Sequence, residues 1–218
     1  MLQQPTQYRV RITFGKNDAL RFIGHLDLAK LWERVLRRAE MPLVYSQGYN
    51  PQPKIQLASA LPLGISSDCE LLDIWLLEPV DLGTLPERLN AVSPPGLRTY
   101  HVREVPPKAP ALQTLLHSAD YLITLAEEVT PELPQRIADL LSRERIERKR
   151  RGKSYDLRPL ILALAPVDAR SFRVRLALGA EGTARPDELM DAMGLSFDHA
   201  RCHREALNLV SADEQEAG

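Results

Sequence analysis

Residues 69–77 read CELLDIWLL, and this apolar run is the strongest strand prediction in the chain. Its length and its content of Leu, Ile and Trp are typical of a strand that is buried in a sheet. Just upstream, residues 54–59 are expected to be extended and residues 43–46 to form another strand. The loop between these two segments is broken by Pro and Gly, which interrupt regular structure.

Farther upstream, the pattern predicts a strand followed by a helix. Residues 8–14, YRVRITF, alternate between apolar and polar side chains, which predicts a half-buried strand with Arg9 and Arg11 on its polar face. Apolar residues then recur at helical spacing and are followed by Pro42. These apolar residues are Leu28, Trp32, Val35, Leu36 and Ala39.

Downstream of the apolar run, a short helix over residues 82–92 and a strand over residues 97–105 are expected. The first half of the chain therefore has the order β-α-β-β-α-β, which is that of a ferredoxin-like domain. We assign this domain to residues 1–105. Residues 106–118 begin with a Pro-rich stretch and are predicted to be a linker.

The same order of elements repeats in residues 119–218, where a basic segment is added. The expected strands and helices of this half cover residues 119–126, 131–145, 155–165, 171–179, 186–194 and 201–210, with helices at the second and fifth positions. The sequence therefore predicts an α+β fold of two tandem ferredoxin-like (βαββαβ) domains with antiparallel sheets. The duplication rests on element order, because the residue-level similarity between the halves is weak.

The composition predicts a cytoplasmic protein without a membrane segment. The net charge is −1, so a nucleic-acid partner would have to be recognised by local clusters of charge. Two cysteines, Cys69 and Cys202, are too few for a disulfide framework and favour a reducing compartment. Apolar stretches such as residues 160–167 are too short to cross a bilayer.

The loop SQGYNPQPKI, residues 46–55, is a candidate binding site. Two prolines and a glycine stiffen its backbone, so Tyr49, Asn50 and Lys54 are presented to a base, a phosphate or an acidic partner. His25 lies near the start of the first helix and is expected beside this loop as part of the same site. The alternatives are a rigid turn with Tyr49 packed on the sheet, and a capping or packing role for His25.

Residues 143–158, RERIERKRRGKSYDLR, form the strongest cluster of charge in the chain. Such a cluster at a transition from helix to strand can neutralise several phosphates, and its tyrosine adds a stacking surface. The alternatives are docking to an acidic protein surface and a solvated loop without a partner. The binding residues predicted here are Arg148, Lys149, Arg150, Arg151, Lys153, Tyr155 and Arg158.

The sequence contains no complete catalytic or metal-binding motif. The GKS at residues 152–154 lacks the glycine that a phosphate-binding loop needs five positions earlier, where Glu147 stands. His199, Cys202 and His203 offer three zinc-type ligands without a fourth. We therefore name no catalytic residue, no metal and no cofactor.

Several blocks of the sequence resemble the radical-SAM-linked protein family, or DUF2344. They are FIGHLDL at residues 22–28, LRRAEMPLVYSQGYNPQPKI at residues 36–55 and LPLG at residues 61–64, with support from residues 147–161. The resemblance implies an RNA-modification or RNA-processing context, with a B12-binding radical-SAM protein or a ribonuclease E/G-type protein as partner. The family pattern usually has histidine where Gln52 stands, which argues against an enzymatic interpretation of this chain.

These observations lead to one hypothesis and two alternatives. The leading hypothesis is an accessory RNA-binding protein that presents substrate to a radical-SAM or RNA-processing partner. The first alternative is a metal-independent RNA endonuclease in which His25, Tyr45, Tyr49 and Lys54 assemble a site, by analogy with tandem ferredoxin-like nucleases. The second alternative is a protein-binding adaptor that contacts no nucleic acid.

Overall fold

The computed structural model describes residues 7–126, 132–179 and 182–210, which form a mixed α/β structure with mainly antiparallel strands. The chain divides into two compact units, Met1–Gln113 and Thr114–Gly218, which we call unit 1 and unit 2. This division falls inside the predicted linker, residues 106–118.

Unit 1 consists of four strands and two helices. In chain order they are β1 (Tyr8–Lys16), α1 (His25–Arg38), β2 (Ile55–Leu57), β3 (Ile65–Leu76), α2 (Leu85–Val92) and β4 (Leu97–Val105). The strands lie in the order β2-β3-β1-β4, and each neighbouring pair is antiparallel. A short 3-10 turn, Asp18–Phe22, connects β1 to α1.

Both helices of unit 1 pack on one face of its sheet. The alternation in β1 predicts that Tyr8, Val10, Ile12 and Phe14 share one face, and of these Val10, Ile12 and Phe14 are buried while Tyr8 is partly buried. Phe14 meets Trp32 of α1 edge to face, with 4.9 Å between ring centroids. The apolar stripe of α1 therefore closes a single core with β1 and β3.

The polar side of β1 is also largely buried, so the prediction of a half-buried first strand is wrong. Arg9 is 1% exposed and Arg11 is 4% exposed. Both guanidinium groups donate two hydrogen bonds to the buried carboxylate of Asp73 on β3, over 2.6–2.9 Å. Buried charges need such pairing, because an isolated ion loses its hydration without compensation.

The first part of the predicted linker is attached to unit 1. Arg9 donates hydrogen bonds to the backbone carbonyls of Ala109 and Pro110, at 2.6 and 2.9 Å. The side chain of Gln56 on β2 accepts a hydrogen bond from the backbone N–H of Leu112 and donates one to Gln113. This segment is therefore held against the rest of unit 1, because its backbone carbonyls accept hydrogen bonds from the buried guanidinium group of Arg9.

The described part of unit 2 contains three long strands, several short ones and two helices. In chain order they are β5 (Leu116–Leu125), α3 (Glu132–Leu141), β6 (Glu147–Arg150), β7 (Lys153–Asp156), β8 (Ile161–Pro166), β9 (Ser171–Gly179), β10 (Gly182–Thr183), α4 (Pro186–Ala192) and β11 (Ala200–Leu209). Its main sheet has the order β8-β9-β5-β11, all antiparallel, and β10 also pairs with β9. The strands β6 and β7 form a separate hairpin.

Three element predictions need correction. The strand expected over residues 155–165 is split into β7 and β8 by a 3-10 turn, Arg158–Leu160, in which Pro159 cannot donate to a ladder. The helix expected over residues 131–145 ends at Leu141, and its Pro131 lies outside the described residues. The strand expected over residues 43–46 is reduced to two isolated bridges.

Candidate nucleic-acid interface

The predicted basic segment forms a β-hairpin, residues 147–156, which we call the basic hairpin. Its two-residue turn consists of Arg151 and Gly152, with φ angles of 48° and 81°. Positive φ at both central residues is the geometry of a type I′ turn, whose twist matches that of the flanking strands. The tip of the hairpin is therefore a tight turn that carries an arginine in a left-handed conformation.

The side chains of Arg150 and Tyr155 are both hydrogen-bonded to Glu188 of α4. Arg150 donates from Nε to Glu188 at 2.8 Å, from Nη1 to the carbonyl of Thr183 at 3.0 Å, and from Nη2 to the Tyr155 hydroxyl at 3.0 Å. The Tyr155 hydroxyl in turn donates to Glu188 at 2.6 Å. Both predicted binding residues are therefore used for contacts inside unit 2.

The proton affinities of this cluster follow from its contacts. Partial burial disfavours the ionised form of Glu188, but hydrogen bonds from Arg150 and Tyr155 outweigh it and lower the pKa of the carboxyl. Burial, and then the hydrogen bond to Glu188, raise the pKa of Tyr155 to about 12. The hydrogen bond to Glu188 also raises the pKa of Arg150. The cluster is held as a carboxylate, a neutral phenol and a guanidinium at neutral pH.

Two further predicted residues are also engaged inside unit 2. Arg148 lies 3.3 Å from the carboxylate of Asp191, which follows Glu188 by one helical turn on α4. Arg158 donates from Nε and Nη2 to the carbonyl of Leu141, the last residue of α3. A cation at the carboxyl end of a helix stabilises the orphan carbonyls there. These positions fasten the hairpin and its base to the two helices.

Three cations of the basic hairpin remain available. The side chains of Lys149, Arg151 and Lys153 are exposed. Within the described part of unit 2, none of these side chains has a hydrogen-bond or ion-pair partner. All three lie in the turn or in the two residue pairs next to it, since Arg150 pairs with Lys153 and Lys149 pairs with Ser154. The hairpin therefore presents three positive charges around its turn, on a strand pair that Glu188 holds in place.

In unit 1, the loop over residues 46–53 is closed at its base and exposed at its tip. The backbone N–H of Ser46 donates to the carbonyl of Gln52 at 2.8 Å, and the Gln52 N–H donates to the Ser46 hydroxyl at 3.0 Å. Tyr49 is fully exposed and Asn50 is exposed. Tyr49 is therefore not packed on the sheet, which excludes that part of the alternative prediction.

Lys54 and His25 have different surroundings from the tip of this loop. The ammonium group of Lys54 donates to Gln7 at 3.2 Å and lies 4.7 Å from the ring centroid of Trp75. His25 is the first residue of α1 and is half-buried. Its Nδ1 is enclosed and has no hydrogen-bond partner among the residues described.

The prediction that His25 lies beside the loop of residues 46–55 is wrong. β1 begins where Tyr8 pairs with Leu76 and ends where Lys16 pairs with Ser67. The loop lies at the first of these ends, because Lys54 is hydrogen-bonded to Trp75, whereas His25 follows the second end. About 25 Å of strand separates the two ends.

The nuclease alternative loses its proposed site for the same reason. Tyr45 forms a bridge with Pro53 at the end of the sheet that carries the loop, so it is also separated from His25. Among residues 7–126, 132–179 and 182–210, no group of three His, Cys, Asp or Glu side chains is placed to hold a metal ion.

Over the same residues, no helix is both long enough and apolar enough to cross a membrane.

Glu188 was not anticipated from the sequence. It is separated from Tyr155 and Arg150 by 33 and 38 positions, and no local spacing rule connects groups so far apart. A weaker indication was available for the buried Arg9–Asp73–Arg11 group. Asp73 interrupts an apolar strand, and a buried carboxylate requires cationic partners.

Comparison with known proteins supports a family assignment and no transfer of activity. Residues 9–186 match the family described as "Uncharacterized protein conserved in bacteria (DUF2344)". No curated protein matches the sequence. Among solved structures, the archaeal box H/ACA sRNP Nop10-Cbf5 complex is 14% identical with a TM-score of 0.40, and a Cbf5-Nop10-Gar1 complex is 12% identical with a TM-score of 0.44.

These structural likenesses are too low to carry an argument about function. They cover 92% and 93% of this chain but only 46% and 48% of the chains they match, so this chain spans about half of those lengths. The function of this chain has to be inferred from the geometry of its own residues.

Proposed function

The chain belongs to the DUF2344 family, and from the geometry of its basic hairpin we propose that it is an accessory RNA-binding protein that presents RNA to a processing or modifying partner. One observation carries the proposal. Lys149, Arg151 and Lys153 are exposed and unpaired within the described residues, while Arg148, Arg150 and Arg158 are used internally. Three exposed cations around one turn suit phosphate groups, which RNA supplies in a row.

The rigidity of the hairpin supports this use of its tip. Glu188 fixes Arg150 and Tyr155, so the turn is held in place before any ligand arrives. A preorganised surface loses less conformational entropy on binding than a mobile loop. The solvated-loop alternative does not account for a basic segment that is folded against α4, where Arg150 and Tyr155 are hydrogen-bonded to Glu188 and Arg148 is paired with Asp191.

The exposed loop of unit 1 supplies a second contact in this proposal. Tyr49 offers an unobstructed aromatic face, and an unpaired base stacks on such a face without regard to its sequence. Lys54 is not part of that contact, because its charge lies over Trp75.

The wider setting of the proposal comes from the family resemblance. The partner is proposed to be a B12-binding radical-SAM protein or a ribonuclease E/G-type protein. A reducing cytoplasm is proposed because Cys69 and Cys202 are both free thiols.

We also propose that each unit is a ferredoxin-like domain. In support, the order β2-β3-β1-β4 in unit 1 and the order β8-β9-β5-β11 in unit 2 each place the first and third main strands at the centre. Each main sheet is antiparallel and each unit has two helices, as this fold requires.

Fluorescence anisotropy with a labelled single-stranded RNA tests the proposed function. Three phosphate contacts predict a slope of log K against log salt of about −2. The triple variant Lys149→Gln, Arg151→Gln, Lys153→Gln is expected to weaken binding by about tenfold or more at low salt, and to flatten the slope.

The matched control removes the same number of charges from an exposed helix face. Its substitutions are Lys30→Gln, Arg34→Gln and Arg38→Gln on α1, and binding is expected to change little. Equal losses in both triple variants, or an affinity that is insensitive to salt, would refute the assignment to the hairpin.

A further inference from the structure

The strand β8 forms an open edge of the unit 2 sheet. It pairs with β9 on one side, and over the described residues no strand pairs with its other side. Leu162, at a bulge in this strand, is 44% exposed, and Val167 just beyond it is 48% exposed. An open edge presents unpaired N–H and C=O groups to any extended chain that reaches it.

The sequence of this edge lacks the usual protection against such pairing. Residues 160–167 read LILALAPV and contain no charged side chain. Natural sheets commonly protect exposed edges with Lys, inward charges or Pro. Here Pro166 protects only the end of the strand, and the bulge at Leu162 protects only its beginning. The stretch Ala163–Ala165 between them is regular, and its outer edge has no such protection.

A groove of about 310 Å³ runs beside this edge, on the sheet face of the exposed Arg173 and Arg175. The small side chains of Ala163 and Ala165 leave its floor open. Two ion pairs lie across it, Arg173 with Glu205 at 2.9 Å and Arg175 with Asp120 at 2.6 Å. Each cation is already neutralised, so the groove has polar edges without a net charge.

From these features we propose that β8 receives an extended segment of a partner protein as an added strand. Main-chain hydrogen bonds to the open edge would hold the segment, and alternate side chains would enter the groove. Because the charges that line the groove are paired with one another, an acidic or a basic side chain would find no unpaired charge of opposite sign there. The segment is therefore expected to carry uncharged side chains, such as Thr, Val or Ser, at its alternate positions.

A partner segment fits this edge better than a second copy of the chain. The strand has six residues and is about 20 Å long, so an edge-to-edge contact between two copies covers an area on the order of a few hundred Å². A stable protein–protein interface needs about 800 Å² on each side. A peptide, in contrast, also fills the groove and needs no matching globular surface. This proposal does not depend on RNA binding by the basic hairpin.

The test is a selection of phage-displayed random twelve-residue peptides on the full-length protein, followed by synthesis of the enriched peptides. Ala163→Lys puts a charge on the floor of the groove and at the open edge. Ala60→Lys makes the same change at an exposed alanine of unit 1 and is the matched control. A second blocking variant, Leu162→Lys, guards against a local folding defect, and thermal unfolding confirms that all three variants are folded.

We expect enriched peptides with uncharged alternating residues, whose affinity falls by about tenfold or more in both blocking variants and stays the same in the control. Bound peptide should slow hydrogen exchange of the amides of residues 162–165. Failure to enrich any peptide, equal effects in Ala60→Lys, or binding without protection of these amides would overturn the proposal. The proposal would also be overturned if light scattering showed a wild-type dimer that Ala163→Lys converts to a monomer. The segment added to β8 would then come from a second copy of the chain.

Discussion

Asp73 is completely buried and forms ion pairs with two buried guanidinium groups on the neighbouring strand. Replacing it with alanine would leave Arg9 and Arg11 buried without an anion. We expect Asp73→Ala to lower the free energy of unfolding by about 3–5 kcal/mol, as measured by urea denaturation. Glu78→Ala, at an exposed position five residues later, is the control and should have little effect. A loss below about 1 kcal/mol for Asp73→Ala would contradict the role assigned to this carboxylate.

The cluster of Glu188, Tyr155 and Arg150 predicts a defined pH dependence. Contacts lower the pKa of Glu188 below its usual 4.5, so its stabilisation is complete above that pH and is lost as pH falls through the folded value. The pKa of Tyr155 is raised from 10.0 to about 12, so its contribution is complete below pH 10 and is lost as pH rises toward 12.

Thermal unfolding across pH, compared with Glu188→Gln and Tyr155→Phe, measures this dependence. The difference in melting temperature between wild type and each variant should be largest between about pH 5 and pH 9. It should shrink in acid for Glu188→Gln and in alkali for Tyr155→Phe. A difference that is constant from acid to alkali would show that the cluster does not titrate in this way.

The turn of the basic hairpin allows stability and RNA affinity to be separated. Arg151 has a φ of 48°, a conformation that asparagine adopts more readily than arginine, and Asn-Gly is the favoured sequence for a type I′ turn. Arg151→Asn is therefore expected to raise the stability of the hairpin by roughly 0.5–1 kcal/mol. The same substitution removes one phosphate contact and should reduce the magnitude of the salt slope by about 0.7.

Lys149→Asn provides the matched comparison for this prediction. It also removes one exposed cation, but from a strand position where asparagine has no conformational advantage. Its RNA affinity should fall as in Arg151→Asn, while its melting temperature should not rise. Parallel changes of stability and affinity in both variants would argue against the assigned turn geometry.

The elements that could be predicted from sequence are those with an apolar periodicity. The strand expected over residues 171–179 is confirmed as β9, and the strand expected over residues 97–105 is confirmed as β4. The basic hairpin gave no such pattern, because its inward face consists of Arg148, Arg150 and Tyr155 rather than apolar residues. Its turn sequence, Arg-Gly, is also not one that predicts a type I′ hairpin.

At the level of the whole chain, the segment between the units is expected to resist proteolysis. Lys108 is exposed, but the carbonyls of the next two residues are held by Arg9, and Gln56 holds the segment beyond them. Trypsin should therefore cleave after Lys108 slowly in the native protein, and several-fold faster in Gln56→Ala. Gln52→Ala, in the exposed loop of unit 1, is the control. Rapid cleavage of the wild type at Lys108 would show that the attachment is too weak to matter.

The candidate site was predictable in composition but not in arrangement. Sequence alone identifies a concentration of positive charge, but it does not show which charges a fold uses for its own stability. Arg150 and Lys149 are neighbours in sequence, yet one is bound to Glu188 and the other is exposed, because successive side chains of a strand point to opposite faces. The sequence also does not show that α1 runs back along the sheet. For this reason the loop begins at the opposite end of the sheet from His25.

The carboxylate shared by two arginines also constrains the order in which substitutions can accumulate. Arg9 has two backbone carbonyls as additional acceptors, whereas the guanidinium of Arg11 donates its hydrogen bonds to Asp73. Loss of Arg11 leaves a neutral pair of Arg9 and Asp73, but loss of Asp73 first leaves two buried cations. A lineage that exchanges this group for apolar residues is therefore expected to change position 11 before position 73. Related sequences that lack the acid while keeping both arginines should be rare, which makes the history of these three positions strongly dependent on one another.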